Sequence, residues 1–320
     1  MTAGPGSEGA TGKGPGDAGL SMYHISPRKA RDEKIKRQQA ARVVLWRGAS
    51  LVSVELGKPQ GLKGKRHEWK RGQISMFSKQ SRRRVLRLVA TLKRVAMSSF
   101  VTLTYPDFFE RNPRVVKQHL DKFFKRMVRK FPEVIVIWRL EPMERKSGEN
   151  KGEIAPHFHL LVWKVDYKSL LQWLPENWYQ VVGSNDEKHL MAGTRVEPVR
   201  SSRGVMYYTA KYICKAENYK LDGWGRYWGV VNRGTNEKGK RDNHNLKTIQ
   251  GQETARDIDD DQTAKTILRY MRRRASEVYR KGKFVGRRKF PKWGHKFTLV
   301  GDADFWEGAI EKMLQDGAGP

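Results

Sequence analysis

Residues 154–163 read Ile-Ala-Pro-His-Phe-His-Leu-Leu-Val-Trp, and the rest of the chain is read outward from them. Pro156 fits only near the start of a strand, and the apolar run that follows marks a short buried strand. Alternate side chains of a strand share a face, so His157 and His159 point one way while Phe158 turns into the core. Two imidazoles on one strand face are either hydrogen-bonded core histidines or a metal-ligand pair waiting for a third partner. Upstream, residues 133–141 read Glu-Val-Ile-Val-Ile-Trp-Arg-Leu-Glu, a second strand, and the polar stretch 142–153 returns the chain as a hairpin. That hairpin brings Glu141 beside His157 and His159. Two histidines and a carboxylate, with open positions left over, suit a catalytic divalent cation, and the metal reading is preferred.

Charge narrows the partner. The 320 residues hold 64 Lys plus Arg against 34 Asp plus Glu, a formal charge of +30. So much uncompensated charge repels itself unless a polyanion is bound, which makes nucleic acid the leading ligand class. Charge alone does not separate an enzyme from an architectural protein. A single cysteine, Cys214, excludes a disulfide framework and a cysteine-based zinc site, and it fits a reducing compartment. No apolar run approaches the roughly 18 residues of a membrane span, and the N-terminal residues lack a signal-peptide layout. The expected location is the cytoplasm, with no membrane partner.

The chain divides by composition. Residues 1–40 are a flexible tail, Gly-rich at first and basic from Arg28 onward. Residues 41–98 hold a strand over 43–56 and a basic helix over 78–97, whose apolar spacing runs through Val85, Leu88, Val89 and Leu92. Between them, residues 63–71 interleave basic groups with Trp69, either a surface that tracks a nucleic-acid backbone or a solvated basic loop. Residues 99–232 form the central unit. Within it, 100–105 is a strand, and Asn112 and Pro113 cap a helix with an apolar stripe at Val116, Leu120, Phe123 and Met127. After the histidine hairpin, Asp166 caps a helix that runs through Trp173 and is bent or broken near Pro175, and residues 194–199 form a further strand. A helix starts near Ser202. The order β-α-β-β-α-β makes this an α+β fold, a ferredoxin- or RRM-like antiparallel central sheet with flanking helices. Residues 233–262 are polar and read as a linker. Residues 263–320 add a basic helix (263–281), a strand (296–300) and a helix (305–314).

Residues 207–215 read Tyr-Tyr-Thr-Ala-Lys-Tyr-Ile-Cys-Lys. At 100° per residue, Tyr208, Lys211, Tyr212 and Lys215 share one helix sector facing outward, while Met206, Ala210 and Ile213 face the sheet. Tyr207 lies at the edge. A tyrosine attacking phosphorus would form a phosphotyrosine, and with a free pKa near 10 it needs a lysine or a metal nearby to stabilise the phenolate. The alternative is an amphipathic helix whose tyrosines stack on bases.

Taken together, Thr102-Leu103-Thr104-Tyr105-Pro106, Pro156-His157-Phe158-His159 and the run from Tyr208 to Lys215 resemble the three ordered motifs of HUH endonucleases. The similarity is greatest to the two-tyrosine rolling-circle replication initiators, such as the gene A proteins of small isometric phages. It covers about residues 100–229, including Gly225-Arg226-Tyr227-Trp228-Gly229. The resemblance implies that His157 and His159 bind Mg²⁺ or Mn²⁺, with Glu141 placed as third ligand by the hairpin. It also implies that Tyr208 and Tyr212 are nucleophiles and that Lys211, with Lys215, holds phosphate or phenolate charge. The implied activity is nicking and joining of single-stranded or hairpin origin DNA through a 5′-phosphotyrosine, in a phage or plasmid setting. A transposase or relaxase of the same superfamily, or a non-catalytic single-strand binder, would share parts of this pattern.

Residues 234–241, Gly-Thr-Asn-Glu-Lys-Gly-Lys-Arg, come within one residue of a phosphate-binding loop. Arg241 stands where Ser or Thr must hold Mg²⁺, so no ATP site is expected. Strand separation and synthesis would then fall to a separate host helicase and polymerase. The remaining histidines, His24, His67, His119, His189, His244 and His295, have no partner at ligand spacing and read as ordinary surface or core residues.

Overall fold

The structure, a computed structural model, describes residues 23–24, 41–56, 74–93, 99–199, 208–215, 223–234, 244–280, 283–287, 296–300 and 303–316. Tyr207, the basic residues 28–40, the Trp69 stretch, the start of the tyrosine helix near Ser202 and residues 235–241 lie outside these.

Strands β1 (Tyr23–His24), β2 (Ala41–Arg47) and β3 (Leu51–Leu56) come first, followed by helix α1 (Lys79–Ala90). The sequence reads 43–56 as one strand, but the chain turns at Gly48, where φ is +69°, and makes an antiparallel hairpin. Next come β4 (Ser99–Leu103), α2 (Pro113–Lys130), β5 (Ile135–Glu144), β6 (Ile154–Trp163), α3 (Tyr167–Val182), α4 (Glu187–Ala192) and β7 (Thr194–Pro198). A π-helical turn (Thr209–Ile213) and β8 (Trp228–Val231) complete the central unit. Beyond it lie α5 (His244–Thr248), β9 (Gln252–Ile258), α6 (Asp261–Ser276), β10 (Glu277–Arg280), β11 (Lys283–Arg287), β12 (Lys296–Val300) and α7 (Ala303–Asp316).

The central sheet has the order β7-β4-β6-β5-β8, with every neighbouring pair antiparallel. Its first four strands follow the β-α-β-β-α-β path: α2 carries the chain from β4 to β5, leaving room for β6, and α3 with α4 carries it from β6 to β7 around β4. The α+β class and the antiparallel sheet are those expected from the sequence.

Local chemistry explains the helices that cover the sheet. Asn112 Oδ1 accepts from the Arg114 amide at 2.9 Å with Pro113 at the first position, and Val116, Leu120, Phe123, Phe124 and Met127 form the buried stripe of α2. Asp166 caps α3 in the same way. Helix α3 does not stop at Pro175 but runs on to Val182. A mid-helix proline costs about 3 kcal/mol. The burial of Leu170, Leu174, Trp178 and Val181 on one stripe, at roughly 1.5–3 kcal/mol per large side chain, outweighs that. Trp178 also donates its indole N–H to the Thr104 carbonyl at 2.6 Å, which fixes the half of the helix after the proline. Gly183, at φ +67°, closes α3 in the left-handed conformation.

A second sheet has the order β1-β12-β3-β2-β9, so the early hairpin is flanked by strands from far later in the chain. The stretch 233–262, polar by composition, contains α5 and β9. Val43, Leu45, Val52, Val54, Ile267, Met271, Phe297 and Trp306 are among the buried residues that hold this sheet against α6 and α7. The two units meet where the chain passes between them: the Ser50 amide donates to the Ala90 carbonyl, and the Gly251 amide to the Thr91 carbonyl. Among the described residues no helix is long and apolar enough to cross a membrane.

Candidate active site

The β5–β6 ladder pairs Glu141 with His157 and Arg139 with His159. On the other side of β6, Thr102 of β4 pairs with His159. Residues directly opposite one another in a ladder share a face, so Thr102, Arg139, Glu141, His157 and His159 project from one side of the sheet. Phe158 projects from the other and is fully buried in the core.

His159 and Glu141 are both buried, 3% and 4% exposed, and joined by a 2.6 Å hydrogen bond from Nε2 to Oε2. The second carboxylate oxygen accepts from Lys215 Nζ at 2.8 Å. Burial opposes ionisation of Glu141, but its bonds to His159 and Lys215 win and hold its pKa at about 2. The half-buried His157 is pushed down to about 4 by burial and then by the neighbouring His159. Burial likewise lowers His159, against the pull of Glu141. The resting site at neutral pH is therefore a carboxylate beside two neutral imidazoles.

With His159 neutral and Nε2–H donating to Glu141, Nδ1 is left to accept from the Thr102 hydroxyl at 3.2 Å. This assignment of the tautomer follows from the hydrogen-bond network. The donor set, two neutral imidazoles and an ionised carboxylate on one face, has the chemistry a divalent cation requires. Among the described residues no three His, Cys, Asp or Glu side chains are already gathered as a cage. Glu141 is engaged on both oxygens, so a cation at this carboxylate would displace Lys215.

The tyrosines approach the same face. The sequence spacing assumes an α-helix; instead the Cys214 amide bonds the Thr209 carbonyl, an i→i+5 closure that makes residues 209–213 a π-helical turn. Tyr208 and Tyr212 do not stand outward as expected. They are half-buried, stacked on Phe100 with ring centres at 4.7 and 5.0 Å and on each other at 6.0 Å. The Tyr212 ring lies 5.4 Å from His159. Lys211 is exposed, with its ammonium 4.9 Å from the centre of the Tyr212 ring. Lys215 lies just past the turn and reaches back to Glu141. All six residues singled out in the sequence, with Lys215, thus meet around one sheet face.

Two contributors were not apparent from the sequence. Arg139, fully buried, donates to the Tyr212 carbonyl and packs its guanidinium 4.8 Å from the Phe77 ring, so it ties the tyrosine turn to the sheet opposite His159. Alternation along β5 puts it on the Glu141 face, the one signal available in advance. The other is Thr102, whose hydroxyl orients His159. His189 is structural, bonding the Thr104 carbonyl at 2.9 Å. Burial pushes the Cys214 thiol up to about 12, which removes it as a nucleophile.

Residues 98–217 match a family model for replication-associated proteins of the ORF2 type. The match begins just before β4 and ends just after Lys215, so it spans every residue of the constellation. It supports a role in DNA replication. No curated protein and no solved structure matches the chain.

Proposed function

We propose that the chain initiates rolling-circle replication by nicking and rejoining one DNA strand through a tyrosine–phosphate intermediate. The observation that carries this reading is the approach of Tyr212 to within 5.4 Å of His159, itself bonded to Glu141 at 2.6 Å. In the cleaving step the tyrosine oxygen forms a bond to phosphorus and the bond from phosphorus to the 3′ oxygen breaks. The 3′ oxygen takes a proton and leaves as a free hydroxyl, while the 5′ phosphate stays on the protein. The reverse attack by a 3′-hydroxyl rejoins the strand without ATP. Tyr208 and Tyr212 are the nucleophiles, and the Lys211 ammonium beside the Tyr212 ring favours its phenolate.

His157, His159 and Glu141 would hold Mg²⁺ or Mn²⁺. Such a cation polarises the scissile phosphate and neutralises the charge that builds on it. Lys215, released from Glu141, is then free to meet a phosphate oxygen. The DNA would be the origin, single-stranded or extruded as a hairpin, with helicase and polymerase supplied separately.

The test is incubation with circular and single-stranded DNA from the protein's source, with Mn²⁺. Covalent protein–DNA species that survive SDS, with one mapped 5′ end, are expected. Tight binding with no adduct would instead make the chain a single-strand binder.

A further inference from the structure

Strands β10 and β11 form a two-stranded ribbon that pairs with no other strand among the described residues. Its register sets Glu277 opposite Arg287 and Arg280 opposite Lys283, with a bulge between Val278 and Tyr279. An isolated two-stranded ribbon is only marginally stable in water. This one is anchored at its base, since β10 leaves α6 without a loop and Glu277 pairs with Arg274 at 2.8 Å. Away from the base, Phe284 and Val285 are 53% and 52% exposed, beside the exposed Lys283 and Arg287. Residues 269–289 hold ten Lys or Arg and a single acid, Glu277, which is the one paired to Arg274.

We propose that this ribbon is a docking element for duplex DNA, separate from the face that carries the histidines and tyrosines. A two-stranded ribbon is of a size to enter the major groove, about 12 Å wide. Lys283 and Arg287 meet the phosphates that border the groove, and the exposed Phe284 makes apolar contact with the bases. Arg269 and Arg273, exposed on the helix that leads into the ribbon, extend the basic surface along the flanking backbone. A single strand offers no groove for the ribbon to fill. The proposal goes beyond nicking and does not depend on it: the ribbon would hold the duplex beside whatever strand the other face engages.

The test measures binding of the full chain to a 20-base-pair duplex, and to a single strand of the same length, by fluorescence anisotropy across a salt series. In Lys283→Glu/Arg287→Glu, duplex affinity should fall at least tenfold and its salt slope should shrink by about 2, the loss of two phosphate contacts. Phe284→Ala should weaken duplex binding several-fold, and Lys283→Arg/Arg287→Lys should restore it, which separates contact from folding. Single-strand affinity and adduct formation on short oligonucleotides should be unchanged. Equal losses on duplex and single strand, or no loss on duplex, would overturn the proposal. So would a loss confined to vesicles of phosphatidylcholine and phosphatidylserine. A wild-type chain that forms no adduct, yet loses duplex binding in the ribbon variants, would sink the nicking reading alone.

Discussion

Glu141 pairs across the ladder with His157 but gives its hydrogen bond to His159, the next histidine along the same face. The carboxylate thus spans both imidazoles while Lys215 holds its other oxygen. That arrangement keeps a buried carboxylate charged without a metal, because a lysine and an imidazole N–H replace the hydration it has lost. It also places the group where a cation would compete for it.

The first prediction concerns that competition. His157→Ala and His159→Ala should each abolish adduct formation, and EDTA should do the same to the wild type. DNA affinity, set by the many Lys and Arg, should change less than about threefold. Glu141→Gln should raise the Mn²⁺ concentration that gives half-maximal adduct by about tenfold or more. Full activity in EDTA would remove the metal from the mechanism, and unchanged Mn²⁺ dependence in Glu141→Gln would remove Glu141 from the ligand set.

A second prediction isolates Thr102. Its hydroxyl is the partner of His159 Nδ1, and Thr102→Val keeps the shape while deleting that bond. Partners of this kind are worth about 10–100-fold in metal affinity. The variant should need about tenfold more Mn²⁺, with a thermal midpoint close to wild type. Wild-type Mn²⁺ dependence would mean that the ring is held by Phe100, stacked at 5.7 Å, and by Glu141 alone.

Lys117 gives a prediction about stability and pH. Its ammonium donates to the Arg226 carbonyl and lies 4.9 Å from the centre of the Trp138 ring. Burial, then the charge of Arg226, lowers its pKa from 10.5 to about 8. Between those values the unfolded chain binds the proton more strongly than the folded one, so this residue's contribution to stability rises with pH across the window. Below about 8 the penalty is fully present. Lys117→Met should lose this rise, the difference in unfolding free energy between wild type and variant changing by on the order of 1 kcal/mol from pH 7.5 to 9.5. Parallel urea-denaturation curves at both pH values would contradict the lowered pKa.

What the sequence reveals, and what it hides, follows from the range of the interactions. The β5–β6 hairpin is local and strongly alternating, so both the shared face of His157 and His159 and the placement of Glu141 beside them follow from period 2. Asn112 and Asp166 are visible as caps because a cap is a contact over two or three residues. Pro175 misleads, since its cost is local while the burial of Trp178 that overrides it is tertiary. The π turn is invisible because Tyr208, Lys211 and Tyr212 fit an α-helical sector equally well; the extra residue per hydrogen bond appears only once Arg139 and Phe100 fix the turn. The pairing of β2 with β9 joins residues about 200 apart, and no local pattern specifies which distant strand will cover an edge.

The last prediction separates the two tyrosines. Both rings lie on Phe100, 6.0 Å apart and nearly parallel, so they form a stacked pair beside His159 rather than two independent groups. Tyr212 also lies 5.4 Å from His159, with Lys211 above it and its own carbonyl held by Arg139. A mechanism that alternates between the tyrosines needs each to reach the same phosphate in turn. Tyr208→Phe and Tyr212→Phe keep the stacking surface and remove only the nucleophilic oxygen. Each single variant should therefore retain adduct formation on a short single-stranded origin, and each should fail to release closed circles, because joining needs one tyrosine occupied while the other cuts. The double variant should form no adduct. Since Tyr212 has the closer support, Tyr208→Phe should keep the larger share of first-strand cleavage. If one single substitution removes all adduct, the enzyme uses one tyrosine and the other is a stacking partner. Mass spectrometry of the adduct peptide then identifies which, and DNA on Tyr207 would assign the chemistry to a residue outside this stacked pair.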